Sequence, residues 1–88
     1  MIKLELVVKL KDRGFSWESK TGDGPDMGQL LDEVERLGYY YELSNTEYSS
    51  DGTKYCACCV YKDRENGVVR YSPDSLEDAI AKSLISIM

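Results

Sequence analysis

Apolar and polar residues alternate from the start of the chain: Ile2, Leu4, Leu6, Val8 and Leu10 recur at every second position, with Lys3, Glu5, Lys9 and Lys11 largely opposite. Period two over ten residues predicts a half-buried strand at 2–11. Leu6, Val7 and Leu10 could share a helical stripe, so a helix is the competing reading. Asp12-Arg13-Gly14 has the composition of a turn, and residues 15–20 are expected to return as a short second strand. Gly22, Asp23, Gly24 and Pro25 then mark a loop inside one fold.

From Asp26 the period changes. Met27, Leu30, Leu31, Val34 and Leu37 follow a 3–4 spacing that predicts a helix over 26–37, capped by Asp26 and ended by Gly38. Strands are expected at 39–48, 54–62 and 68–71, parted by turns at Asp51-Gly52 and Asn66-Gly67. Ser72-Pro73-Asp74, with Glu77 beyond, reads as the start of a last helix over 73–87. Its predicted buried stripe is Leu76, Ala79, Ile80, Ser83, Leu84 and Ile87. The middle strand is apolar on both sides, with Tyr55, Ala57, Cys59 and Tyr61 on one face and Cys56, Cys58 and Val60 on the other. It is therefore central and covered twice, or covered once with a sticky outer face. The expectation is a single α+β domain over 1–88: a three- to four-stranded, mainly antiparallel sheet packed by two helices, in two layers or as an α/β/α sandwich.

Length and composition narrow this further. Eighty-eight residues at 42% hydrophobic and 31% charged suit one folded domain. No apolar run approaches the ~18–20 residues that cross a bilayer, and the alternating start does not resemble a signal-peptide core. These features predict a soluble, cytoplasmic domain with no membrane partner. Sixteen acids against eleven bases give a net charge of −5, a surface that phosphate backbones repel. No direct nucleic-acid partner is expected. The acids are spread along the chain, which leaves a DNA-mimic reading open without favouring it.

The residues with chemical potential read mostly as structure. On a strand Cys56 and Cys58 point one way and Cys59 the other, so three thiols cannot converge on one ion. The chain also has no histidine to complete a zinc site. Core packing is the expected role of the cysteines, and no metal or other cofactor is predicted. Ser16, Ser44, Ser49 and Ser50 have no histidine partner for a triad. Asp32, Glu33, Glu35, Glu77 and Asp78 fall on predicted solvent faces and form no acid–base pair. The Gly22–Asp26 loop before a helix weakly suggests anion binding, but its aspartates would repel phosphate and no Walker lysine follows. No enzyme activity is expected.

The seven tyrosines are the remaining candidates, as strand formers or as a contact surface, because tyrosine combines rigid area with a hydroxyl. Tyr39-Tyr40-Tyr41 must split across both faces of a strand, so Tyr40, or else Tyr39 and Tyr41, faces away from a single-layer core. Tyr39 and Tyr41 share one face of their strand, and Tyr55 and Tyr61 one face of the next. Antiparallel pairing could merge them into a partner-binding patch, with Glu42 and Glu47 beside it.

The run Asp26-Met27-Gly28-Gln29-Leu30-Leu31-Asp32-Glu33-Val34-Glu35-Arg36-Leu37-Gly38-Tyr39, the hairpin after it and Ser75-Leu76-Glu77-Asp78-Ala79-Ile80-Ala81-Lys82-Ser83-Leu84 resemble small phage proteins of the ABA-sandwich type. The resemblance covers roughly 26–88, through a VxxxLxxxGY helix-to-strand junction and an EAIxxAxL closing helix. It departs before residue 26 and at Lys82-Ser83. It implies a phage or mobile-element accessory protein that binds a host protein, as anti-CRISPR and other anti-defence inhibitors do. Apart from the resemblance, a domain this short is modestly stable alone, so a homodimer that buries tyrosine surface is a possible partner state. The alternative is a domain that sequesters a nucleotide or another small ligand between protomers. Arg13, Arg64 and Arg70 would then be the candidates to meet phosphate.

Overall fold

The first segment folds as a helix. Leu4–Asp12 forms α1, which buries Leu6, Val7 and Leu10 while Leu4 and Val8 stay 77% and 49% exposed; Ile2, just before the helix, is buried with them. The predicted strand at 2–11 is therefore corrected. Ile2, Leu6 and Leu10 are four apart, so an alternating run already contains a helical stripe, and Val7 completes it. Phe15 then folds back under α1, its N–H on the Leu10 carbonyl at 3.0 Å. It stacks on Trp17 at 5.4 Å between centroids, so residues 15–17 are not the predicted second strand.

The computed structural model describes residues 2–17, 24–63, 66–73 and 75–88, with 45–47 as backbone only. The rest of the predicted second strand, the Thr21–Asp23 part of the loop and Asp74 lie outside the described residues.

Helix α2, Met27–Arg36, starts on a reciprocal capping box. Asp26 Oδ1 accepts the Gln29 N–H at 2.8 Å, and Gln29 Oε1 accepts the Asp26 N–H at 2.9 Å. It ends as its glycine requires. Gly38 has φ +88, its N–H bonds the Glu35 carbonyl and the Tyr39 N–H bonds the Val34 carbonyl, which is a Schellman closure. That turn aims the chain into β1, Tyr40–Tyr48, which pairs antiparallel with β2, Lys54–Tyr61; β2 pairs antiparallel with β3, Val68–Ser72. Ser72 stays extended before Pro73 and closes β3 opposite Cys56. The last helix, α3, Leu76–Ile87, therefore starts later than expected. Its cap is Ser75, whose Oγ accepts the Asp78 N–H at 3.1 Å.

The architecture is α+β, with three helices rather than the expected two and a three-stranded sheet in the order β1-β2-β3. Helix α3 lies on β2 and β3; α2 packs against α3 and reaches β1, and α1 packs on α3. Leu10, Leu30, Val34, Cys58, Val60, Ile80 and Leu84 are fully buried between these elements, the leucines and isoleucine contributing about 2 kcal/mol each. Ser83 is also buried and donates to the Cys58 carbonyl at 3.0 Å, fastening α3 to the central strand. Among the described residues, no helix is long and apolar enough to cross a membrane.

Candidate recognition surface

The two faces of the sheet differ sharply. Cys58 and Val60 on β2 and Ser72 on β3 are buried, and Tyr41, Cys56 and Val68 pack partly against the same core. The alternate residues of β2, namely Tyr55, Ala57, Cys59 and Tyr61, are only half-buried and belong to no part of that core. The strand is thus covered by the core on one side, and among the described residues no helix covers its second, half-buried apolar face.

Cross-strand partners complete this outer face. The ladder sets Tyr40 against Tyr61, Glu42 against Cys59 and Ser44 against Ala57, and on the other side Val69 against Cys59 and Tyr71 against Ala57. Tyr40 and Tyr71 are 66% and 53% exposed. The rings meet in pairs: Tyr40 and Tyr61 lie 5.7 Å apart, tilted, and Tyr55 and Tyr71 lie 5.0 Å apart, edge to face. Such contacts hold large side chains in place before any partner arrives. A depression of about 330 Å³ runs over Ala57 and Cys59 between Tyr55, Tyr71 and Glu42.

The expected patch is rearranged by this register. Tyr55 and Tyr61 lie on the outer face, with Glu42 beside them; Tyr39 and Tyr41 do not. Tyr41 pairs with Val60 and turns to the helices, and Tyr39 packs partly on the core beneath the Lys62 ammonium, 4.8 Å from its ring centroid. Tyr39 and Tyr41 meet Tyr40 and Tyr61 only where β1 begins, around a depression also lined by Glu35 and Gly38. Glu47 pairs with Tyr55 in the ladder, and its side chain lies outside the described residues. Val69 and Tyr71 are the surface residues that sequence reasoning missed, and Tyr40 takes the outward position for which Tyr39 and Tyr41 were the alternative. Their signal was alternation on β1 and β3, readable only once the register is known.

Polar groups elsewhere serve the fold. Asp78, expected on a solvent face, is buried and accepts the Lys3 N–H at 2.9 Å. Glu33 is half-buried and pairs with Arg36 through two hydrogen bonds, Arg36 Nη2 lying 2.9 Å from Oε2. Burial pushes the Cys58 thiol above its ordinary range, against the opposing effect of the Ser83 hydroxyl. The thiols split across the sheet, Cys58 inward and Cys59 outward. Among the described residues no group of three or more metal-ligating side chains comes together.

The arginines proposed for phosphate are far apart in role. Arg13 donates to the Met88 carbonyl at 3.3 Å, and Arg70 donates to Ser86 Oγ and the Val69 carbonyl, each at 3.0 Å. Arg64 lies outside the described residues. None of the described arginines lines the tyrosine depressions. No family model matches the chain, and neither a curated protein nor a solved structure matches it.

Proposed function

We propose that this chain is a non-catalytic recognition domain that binds another protein through the uncovered face of its sheet. The observation that carries this reading is the surface of Tyr40, Tyr61, Tyr55, Tyr71 and Val69, which among the described residues no helix covers. Interfaces concentrate their energy in aromatic residues that a partner can desolvate, and two pairs of tyrosines are already in ring contact here. The resemblance of residues 26–88 to phage ABA-sandwich proteins supports a host protein as the partner and inhibition of a host defence system as the outcome. The acidic surface favours fast encounter with a basic target.

Capture from a host lysate tests the reading. The wild-type chain should retain a partner, and folded Tyr61→Ala and Tyr71→Ala variants should each weaken it by ~2 kcal/mol or more. Capture of nothing, or wild-type retention by both variants, would count against it.

A further inference from the structure

The outer face is asymmetric in charge. Three depressions on or beside it are lined by tyrosines together with Glu35, Glu42 and Asp63, and by no lysine or arginine among the described residues. Asp63 is occupied, accepting from the Asn66 backbone and side chain. Glu42 is not comparably engaged: it is exposed, and its hydrogen bond with Tyr61 Oη spans 3.5 Å. Glu42 lines two of the three depressions. Beside it, Tyr40 and Tyr61 offer ring surface at the end of the sheet. A ring in the same corner already holds a cation, since Lys62 Nζ sits over Tyr39.

Resting on the reading of this face as a protein-binding surface, we propose that Tyr40, Tyr61 and Glu42 form the seat for an arginine side chain of the partner. A guanidinium is planar and weakly hydrated, so it can lie on a tyrosine ring while its N–H groups bond a carboxylate edge-on. An ammonium can use only one of these contacts well. The partner therefore brings a positive charge that the described residues of these depressions do not supply. A second copy of the chain fits the surface poorly. It would bring its own net charge of −5, and among the described residues the depressions of its identical face would offer Glu42 no cation.

The probe is a short arginine-bearing peptide, compared with its citrulline counterpart, which keeps the shape and removes the charge. Titrated into the isotope-labelled full chain, the arginine peptide should shift the amide resonances of Tyr40, Glu42 and Tyr61. It should bind about fivefold more tightly than the citrulline peptide and lose that margin in Glu42→Gln. Added salt should weaken it. Equal binding of the two peptides, an unchanged Glu42→Gln, or shifts confined elsewhere would overturn the seat. So would a chain dimer broken by Tyr71→Ala, which would assign the face to a second copy. Lysate capture separates this inference from the one beneath it. If Tyr71→Ala abolishes capture and Glu42→Gln leaves it intact, the arginine seat falls and the face stands; if neither variant matters, both fall.

Discussion

The Asp78 carboxylate accepts the backbone N–H of Lys3 at 2.9 Å, joining residues 75 positions apart. Asp78 lies in the first turn of α3, where its own N–H is held by Ser75 Oγ and where negative charge suits the helix dipole. Lys3 is the N-cap of α1 and has no side-chain cap of its own. One buried acid thus sits in the first turn of one helix and anchors the beginning of another.

Asp78→Ala should therefore destabilise the domain by about 1–3 kcal/mol, the usual cost of taking the acceptor from a partly buried N–H. Asp78→Asn keeps an acceptor oxygen and should cost less. Urea unfolding gives the magnitude. Hydrogen exchange gives the location: the first-turn amides of α1 should lose protection before those of β2.

A second acid works in a turn. Asp51 accepts from the Ser49 hydroxyl and from the Thr53 N–H. These contacts, the Ser49 hydroxyl first, lower its pKa from 3.8 to about 2. A depressed carboxylate pKa means that the ionised form is the one the fold prefers. Its contribution is present above the ordinary value of 3.8 and is lost as pH falls from about 4 through 2. The side-chain carboxyl carbon of Asp51 should titrate near 2, and Ser49→Ala should move that midpoint up toward the ordinary value.

The buried thiol can be tested without any partner. Cys58 is fully buried, its thiol is pushed up by burial, and Cys59 is half-exposed on the bare face. Since the thiolate is the reactive form, a thiol reagent added to the native chain near neutral pH should label Cys59 and spare Cys58. Denaturant should bring Cys58 into reach, and mass mapping reads both. Native labelling of Cys58 at the rate of Cys59 would contradict the assignment of faces.

Much of the fold was legible because its signals were local. Asp26 and Gly38 bracket α2, the stripe of α3 is continuous, and Asp51-Gly52 and Asn66-Gly67 part three strands. Among the features that were not legible, two have a specific cause. At residues 2–10 one set of apolar positions satisfies period two and period four together, and the burial of Val7 with the exposure of Leu4 and Val8 marks the helix. In the sheet, a one-residue bulge between Ser44 and Glu47 changes the pairing. On the hairpin side Glu47 faces Tyr55, odd against odd, a register that would carry Tyr41 to Tyr61 if it continued. Beyond the bulge Tyr40 faces Tyr61 instead. A slip of one residue turns every side chain to the other face, and composition around 44–47 does not announce it.

That slip supplies the sharpest test, because it gives neighbouring tyrosines opposite duties. Tyr41 pairs with Val60 and packs partly on the core, whereas Tyr40 is 66% exposed and leans on Tyr61. Tyr41→Ala removes packed ring area and should cost about 1–2 kcal/mol of stability. Tyr40→Ala gives up a partly solvated ring contact and should cost less than ~1 kcal/mol. Binding should respond in the opposite order: Tyr40→Ala weakens capture of the partner, while Tyr41→Ala, assayed where it is still folded, retains it. Thermal melts and capture on the same two proteins are enough. If Tyr41→Ala melts like wild type and Tyr40→Ala unfolds, the register is wrong. If both stay folded and only Tyr41→Ala fails to bind, the recognition surface lies on the other side of β1.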